Sequence, residues 1–283
     1  MKNVFFGSCS WKYPSWEKLV YSSSKPDNYL AEYAQKYKTV EIDQWFWSLG
    51  KASYGLPNRK LVAEYNEATP SDFKFTIKCP NTITSSLAYR GGTEPNRWFL
   101  HPEVVNQFLD RIEPLTPKLG LLMFQFEYLN KEKMESRKRF LDQLDTFFSV
   151  LPKNLPYAVE IRNPKWIDSS WFSFLQEQHV APVLLQGYWM DDVISTLHQY
   201  GDMLGDVACI RLHGDDRKGI EKATGEDWSQ VITPRDEDLT HIAPLIAKVA
   251  KEGTTLYINV NNHYEGSSPL TISKLEKLLV REE

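Results

Sequence analysis

Residues 207–213 read V-A-C-I-R-L-H and are followed by a glycine. Val, Ile and Leu favour extended structure, so we predict a short β-strand here. Successive side chains of a strand point to opposite faces, which places Ile210 and Leu212 on one face and Arg211 and His213 on the other. The run therefore predicts a strand with one apolar face and one face that carries charge.

Short runs of this kind recur eight times along the chain and alternate with amphipathic stretches. The predicted strands are 4–8, 39–45, 73–79, 119–126, 157–162, 181–186, 207–213 and 255–261. The predicted helices are 27–37, 58–67, 103–111, 135–150, 169–179, 191–200, 236–251 and 267–280. Several of these helices begin with Asp, Asn or Ser, which accept hydrogen bonds from the free N–H groups of a helix N-terminus. Alternating strands and helices indicate an α/β fold with a parallel sheet.

The number of units points to one large architecture. Eight units in 283 residues average about 35 residues each, close to the unit length of a (β/α)8 TIM barrel. We therefore predict a single-domain, eight-stranded parallel TIM barrel over residues 1–283. Irregular stretches at 80–102 and 214–235 follow predicted strands and would lie on the rim that carries functional loops. A doubly wound open sheet is the alternative, and no G-x-G-x-x-G follows the first strand to favour it.

Composition excludes several classes of protein. Hydrophobic residues make up 42% of the chain and charged residues 25%, which excludes a disordered or collagen-like chain. The net charge of -4 gives little bulk attraction to nucleic acid or anionic lipid. No apolar run is long enough to cross a bilayer, and no secretory signal is visible. The three cysteines are odd in number and far apart, so we expect no disulfide framework and a cytoplasmic location.

Polar side chains share one face on most predicted strands, mainly towards the C-terminal ends. If the apolar face packs against the helices, the polar face points into the barrel, where charge is costly unless paired, solvated or bound to a ligand. The candidates for this face are Glu41, Asp43, Trp45, Thr76, Lys78, Gln125, Glu127, Glu160, Arg162, Arg211, His213, Asn259 and Asn261. Structural salt bridges are one interpretation. We favour a preorganised polar pocket, because three cations and three carboxylates converge from different strands.

Aromatic residues gather near the same strand ends. The tryptophans at strand ends or in the segments after strands are Trp11, Trp16, Trp45, Trp47, Trp98, Trp166, Trp189 and Trp228. Such rings can plug the mouth of a barrel, or they can stack on a base or on the apolar face of a sugar. Together they predict an aromatic rim. Cys9 is expected to face the helices as a buried, unreactive thiol.

Six blocks of sequence carry a family resemblance. They are G-S-C-S-W-K-Y-P-S-W (7–16), T-V-E-I-D-Q-W-F-W (39–47), F-K-F-T-I-K-C-P (73–80), V-E-I-R-N-P-K-W (159–166), I-R-L-H-G (210–214) and N-V-N-N-H-Y-E-G (259–266). In this order they resemble the YecE-like family, the domain of unknown function 72. The resemblance implies a TIM barrel whose activity is not settled. That barrel is similar to those of endonuclease IV and xylose isomerase, which implies phosphodiester or sugar chemistry by analogy of fold.

Two positions depart from the family pattern. Asp43 stands where the family usually has Asn, and Asn163 stands where it commonly has His. Both positions lie near the predicted pocket. Asp43 adds a negative charge beside Glu41, which favours a cation in this part of the pocket.

The function that these residues favour is binding, with or without chemical transformation, of a phosphorylated or nucleotide-like anion. Guanidinium and ammonium groups would hold the anion while carboxylates or an imidazole move a proton. The predicted catalytic residues are Glu41, Asp43, Glu160 and His213. The predicted ligand-binding residues are Lys78, Arg162, Arg211, Asn259, Asn261, His263, Trp11, Tyr13, Trp45 and Trp166. No reaction, nucleophile or cofactor is indicated, so whether the protein is an enzyme stays open.

Two other functions remain open, and no protein partner is indicated. A metal-dependent hydrolase or isomerase would use carboxylates and imidazoles, but only two of the six histidines fall at predicted strand ends. Its candidate ligands are Glu41, Asp43, Glu160, His213 and His263. A non-catalytic binder of single-stranded nucleic acid would use the cations after the seventh strand, which alternate with acidic residues. These cations are Arg217, Lys218 and Lys222.

Overall fold

The computed structural model describes residues 1–88 and 92–281. Tyr89 and Gly91, in the predicted loop after the third strand, lie outside the described residues. The strands are β1 (Val4–Ser8), β2 (Thr39–Ile42), β3 (Lys74–Lys78), β4 (Leu119–Gln125), β5 (Tyr157–Glu160), β6 (Ala181–Gly187), β7 (Val207–Gly214) and β8 (Thr255–Val260). They form one parallel sheet in the order β1-β8-β7-β6-β5-β4-β3-β2. The predicted (β/α)8 barrel is confirmed, while the extent of the domain over 1–283 stays a prediction.

Helices lie between the strands of this sheet. They are α1 (Tyr29–Lys36), α2 (Arg59–Glu67), α3 (Asn81–Thr84), α4 (Pro102–Ile112), α5 (Arg137–Val150), α6 (Ser169–Glu177), α7 (Val193–Tyr200), α8 (Arg217–Thr224), α9 (Asp236–Lys251) and α10 (Ser268–Val280). All eight predicted helices are present, and α3 and α8 lie in stretches predicted to be irregular. Helix α8 contains Gly219, a residue type that is unfavourable inside a helix. The Asp216 side chain caps its N-terminus. Within the described ranges no helix has the length and apolar character that a bilayer crossing requires.

A tyrosine hydroxyl bridges the seam between β1 and β2, the two ends of the hydrogen-bonded strand order. Gly7 brings β1 so close to β2 that a Cβ atom at this position would lie 2.2 Å from the Thr39 carbonyl oxygen. The buried hydroxyl of Tyr33 accepts a hydrogen bond from the Ser8 N–H at 2.8 Å and donates one to the Thr39 carbonyl at 3.1 Å. A side chain from α1 thus takes the place of a backbone bond in this nearly closed barrel.

Apolar side chains form two separate cores. The larger core lies between the sheet and the helices and includes the outward-facing Ile210 and Leu212 of β7. The smaller core fills the N-terminal half of the barrel interior, where Phe5 stacks on Tyr257 with ring centroids 5.2 Å apart. Since the lower interior is apolar, the polar residues of the inner face lie above it, at the C-terminal ends of the strands.

Replacement Tyr33→Phe is expected to lower the free energy of unfolding by about 1–3 kcal/mol, because the buried Ser8 N–H would lose its partner. The matched control is Tyr37→Phe, which removes a buried hydroxyl that has no hydrogen-bond partner among the described residues. The two rings are neighbours, with centroids 4.9 Å apart. Urea denaturation measures both variants, and equal losses would contradict the bridging role of Tyr33.

Candidate functional site

The Arg211 side chain is buried inside the barrel between two buried carboxylates. Its Nε and Nη2 atoms donate to the two carboxylate oxygens of Glu41, each at 2.7 Å. Its Nη1 atom donates to Glu160 and, at 3.3 Å, to the Gln125 side chain. The network joins β2, β4, β5 and β7 across the barrel, and it leaves Arg211 little donor capacity for a ligand.

Electrostatics keep this network charged. Burial alone would raise the pKa of Glu160, but Arg211, Arg162 and Lys78 outweigh burial and hold it below its usual value. Burial likewise opposes the charge of Arg211, yet Glu160 and Glu41 raise its pKa well above the usual range. Arg211 and Glu160 are therefore both ionised at neutral pH.

Asn259 of β8 extends the network on the other side. Its side-chain N–H groups donate to Glu41 at 3.1 Å and to the Thr76 hydroxyl at 2.8 Å. Its Oδ1 atom is buried and has no partner among the described residues. Buried acceptors are usually satisfied, so this oxygen is available to a water molecule or to a donor on a ligand.

Lys78, at the C-terminal end of β3, differs from Arg211. Its side chain is only 8% exposed, and its ammonium lies 4.1 Å from the centroid of the Phe46 ring. No residue in 1–88 or 92–281 accepts a hydrogen bond from it. Burial and then repulsion from Arg211 lower its pKa, against the carboxylates of the interior. Lys78 therefore has unused donors at the mouth of the barrel.

Arg162 follows directly after β5 and lies at the same mouth. Its Nε atom donates to Glu160 at 3.1 Å, and its guanidinium stacks on the Tyr188 ring at 4.7 Å from the centroid. Its terminal nitrogens have no hydrogen-bond partner in the described part of the chain. Stacking on one face leaves the edge of the guanidinium oriented and available.

Two buried side chains of the barrel, His213 and Cys9, are adjacent. The Cys9 Sγ atom lies 3.5 Å from Nε2 of His213. Burial, followed by the charges of Arg211, Lys78 and Arg162, holds the pKa of His213 well below its usual value, so the imidazole is neutral. The prediction that Cys9 faces the helices is wrong, because the apolar inner core places every second side chain of β1 inside the barrel.

Asp43 and Tyr13 lie on the β1–β2 side of the mouth. Burial and then the nearby Glu41 raise the pKa of Asp43, against the opposing effects of Lys78 and Arg211. Burial and then Asp43 raise the pKa of Tyr13. These mutual effects indicate that Asp43, Tyr13 and Lys78 share one part of the pocket.

Asn261 and His263, which follow β8, form a separate group at the rim. Nδ1 of His263 contacts Oδ1 of Asn261, and Nε2 lies 3.1 Å from a carboxylate oxygen of Glu221 in α8. Glu221 also accepts a hydrogen bond from Arg217 at 2.7 Å. Helix α8 is thereby attached to the loop after β8, and Arg217, predicted to contact phosphates, is engaged in an ion pair.

Three of the aromatic residues predicted to bind ligand pack against rings of the surrounding helices. Trp11 and Trp45 are buried against Tyr65 of α2, with ring centroids 5.0 and 6.1 Å away. Trp166 packs on Phe140 of α5 at 5.5 Å. The prediction that Trp45 points into the barrel is wrong, because β2 ends before it and the chain turns. A ligand contact for these three rings stays a prediction.

Two tryptophans of the predicted aromatic rim are more open than the four aromatic residues predicted to bind ligand. Trp47 and Trp189 are 80% and 82% exposed. Each follows a second aromatic residue, Phe46 or Tyr188, in a loop just after a strand. The sequence signal that marks these loops is a pair of adjacent aromatic residues soon after a strand, F-W at 46–47 and Y-W at 188–189.

Two further polar residues, Asn163 and Glu127, make contacts within the loops after β4 and β5. Asn163, the second departure from the family pattern, accepts from the Leu129 N–H at 2.9 Å and donates to the Leu129 carbonyl at 3.0 Å. It thereby joins the loops after β4 and β5. Glu127 pairs with Lys133 in the loop after β4, so its predicted inward orientation is wrong because β4 ends at Gln125.

The side chains predicted as metal ligands form no metal-holding group among the described residues. Within residues 1–88 and 92–281, no group of three or more His, Cys, Asp or Glu side chains is arranged to hold a metal ion. Glu41 and Glu160 instead bind Arg211, and His263 contacts Glu221.

Replacement Arg211→Met is expected to lower the free energy of unfolding by about 3–5 kcal/mol, because two buried carboxylates would lose their counter-charge. Arg162→Met is the control: its side chain is 22% exposed and Glu160 keeps its bond to Arg211, so we expect a loss below about 1 kcal/mol. Chemical denaturation at neutral pH measures the difference. Similar losses in both variants would contradict the central role of Arg211.

Asp43 predicts a dependence of stability on pH. Because its pKa is raised in the folded state, the unfolded chain binds fewer protons, and stability falls as pH rises from about 4 through the raised pKa. Asp43→Asn cannot ionise and should gain stability relative to the unsubstituted protein as pH rises. Denaturation at a series of pH values tests this. A relative loss for the Asn variant at high pH would contradict the burial of an ionising Asp43.

Solved structures of other proteins share this fold. A DUF72 family protein from Thermotoga maritima MSB8 matches with a TM-score of 0.69 at 19% identity, over 98% of this chain and 99% of that chain. A DUF72 family protein from Enterococcus faecalis V583 matches with a TM-score of 0.69 at 20% identity, over 98% and 95% of the two chains. At such identities the likeness shows the fold alone.

Sequence comparison identifies the family. The UPF0759 protein YecE of Escherichia coli (strain K12) is 29% identical over 163 residues, which are 58% of this chain and 50% of that protein. The chain thus spans about half the length of the curated relatives it matches. A family model described as "Protein of unknown function DUF72" matches residues 5–283 and includes all six blocks that carry the resemblance. The chain therefore belongs to the DUF72 family.

Proposed function

We propose that the protein binds a small phosphorylated ligand at the mouth of the barrel, between Lys78 and Arg162. The Lys78 ammonium carries this proposal, because its side chain is only 8% exposed and the ammonium donates to no described residue. An ammonium group has three donors, and in Lys78 none of the three is used by a described side chain or carbonyl, so all three can serve a ligand. An anionic oxygen at the mouth would satisfy these donors and neutralise the charge.

Arg162 supports the same ligand class. Its guanidinium is oriented by Tyr188 and has free terminal nitrogens, which suit bidentate binding of a phosphate. Lys78 and Arg162 both act electrostatically on Glu160 and on His213. This shared influence supports a common volume for the two cations.

Arg211 has a different role in this proposal. The sequence places it among the ligand-binding residues, whereas its hydrogen bonds to Glu41 and Glu160 engage it within the barrel. We assign it the positioning of both carboxylates. By compensating their charge, Arg211 and Arg162 prevent the interior from repelling an anion.

His213 and Asp43 are the groups best suited to proton transfer on such a ligand. A neutral imidazole can accept a proton, and a carboxyl group with a raised pKa keeps its proton to a higher pH than an ordinary carboxyl group does. Glu160 is less suited, because Arg211, Arg162 and Lys78 outweigh burial and lower its pKa, and both carboxylate oxygens of Glu41 are engaged by Arg211. Neither assignment names a reaction.

Replacement Lys78→Met is expected to abolish the rise in melting temperature that inorganic phosphate gives the unsubstituted protein. A ligand at a hundredfold excess over Kd stabilises by about 2.7 kcal/mol. The variant should fold, because it removes a buried charge without a hydrogen-bond partner. Phosphate binding should also weaken as pH rises through the lowered pKa of Lys78, since the ammonium is lost.

The matched control is Lys74→Met. Lys74 lies on the same strand at its N-terminal end and donates to the Pro117 carbonyl at 3.1 Å, so this variant should keep the phosphate response. Sulfate at equal ionic strength controls for general salt stabilisation. A phosphate response that survives in Lys78→Met would contradict the proposed site.

A further inference from the structure

The loop after β2 presents an exposed ring beside a mouth cation. Trp47 makes an edge contact with Phe46 at 4.9 Å between centroids, and Phe46 lies 4.1 Å from the Lys78 ammonium. The loop is held by Asn81 of α3, which donates its N–H to the Phe46 carbonyl at 2.7 Å and accepts from the Ser48 N–H at 2.9 Å. We call Trp47, Phe46 and Lys78 the first arm. Its outer ring faces solvent from a fixed support.

The loop after β6 repeats this arrangement. Trp189 lies 6.2 Å from Tyr188 between ring centroids, and Tyr188 lies 4.7 Å from the Arg162 guanidinium. Tyr188 has a φ of 58°, a left-handed conformation that is unfavourable for an aromatic residue. Its N–H donates to the Gly214 carbonyl at 3.4 Å. We call Trp189, Tyr188 and Arg162 the second arm, and its strained backbone indicates that the ring positions are constrained.

The two arms stand on opposite sides of the mouth. In the strand order, β2 and β6 are separated by three strands in either direction around the barrel. In each arm an inner ring contacts both the cation and the exposed tryptophan, so the cation and the tryptophan lie on different sides of that ring. The two cations come from β3 and from the end of β5, with β4 between them. A ligand that satisfies both arms has a negative group in the middle and a planar group on each side.

We propose that this ligand is a phosphodiester between two nucleosides, with the phosphate between Lys78 and Arg162 and one base stacked on each of Trp47 and Trp189. The inference rests on the phosphate site of the proposed function and specifies its substrate class. Free dinucleotides and adjacent nucleotides of a single strand share this chemistry. Base stacking on tryptophan suits every base, because each has a π-face.

The test uses the full chain and isothermal titration calorimetry with four probes. These are inorganic phosphate, the dinucleoside monophosphate adenylyl-adenosine, a short oligodeoxyadenylate and a neutral oligosaccharide. Adenylyl-adenosine should bind more tightly than phosphate and quench tryptophan fluorescence. Equal affinity for the dinucleotide and the oligomer would support a free dinucleotide as the source, and tighter binding of the oligomer would support a single strand.

The variants Trp47→Ala and Trp189→Ala should each weaken binding of adenylyl-adenosine by about 5- to 150-fold, the range measured for the loss of one stacked base. Phosphate, which has no ring, is the internal reference. The matched control is Tyr128→Ala, which removes a 57% exposed ring from the loop after β4 at the same rim. This control should bind all probes as the unsubstituted protein does.

The outcomes separate this inference from the phosphate site. If phosphate binds through Lys78 but adenylyl-adenosine gains nothing from either tryptophan, the two-arm ligand is wrong and the proposed function stands. Loss of binding in Tyr128→Ala equal to that in the arm variants, or oligosaccharide binding through the tryptophans independent of Lys78, would also overturn it. If neither phosphate nor the dinucleotide binds, both proposals fail.

Discussion

The Arg211 guanidinium holds the carboxylates of Glu41 and Glu160 inside the barrel, and the arrangement of the mouth depends on this contact. Without Arg211 the two carboxylates would be buried like charges, which cannot both stay ionised without a partner. A well-packed apolar core could be as stable as such an ion network. The network therefore has its main consequence in electrostatics, because it determines which charges above it are left without partners.

The cations left at the mouth are Lys78 and Arg162, with the Asp43 carboxyl group beside Lys78. Arg162 shares Glu160 with Arg211, and the Lys78 ammonium lies over the Phe46 ring. Burial and then repulsion from Arg211 lower the pKa of Lys78, so an anion that binds there would stabilise its charged form. The same interior charges keep His213 neutral. The buried network thus acts electrostatically on both Lys78, the proposed binding group, and His213, the proposed proton acceptor.

The fold and the central network follow from patterns that are local in sequence. Strand periodicity placed Glu41, Glu160 and Arg211 on the inner face, because alternation along a strand holds as long as the strand continues. The same argument failed for Trp45, which lies beyond the end of β2 and packs on α2. It also failed for Cys9, because apolar residues fill the lower barrel as well as the outer layer. Alternation divides the side chains of a strand between two faces, but it does not say which of the two faces points into the barrel.

The sequence by itself determined the eight strand–helix units and which polar residues share one face of each strand, since these depend on short-range periodicity. Only the tertiary structure decided how those residues divide their hydrogen bonds: Arg211 engaged within the barrel, and Lys78 and Arg162 with donors to spare. It also decided that Trp47 and Trp189 are the open rings. The physical reason is distance, because partners such as Glu41 and Arg211 come together across the barrel from 170 residues apart.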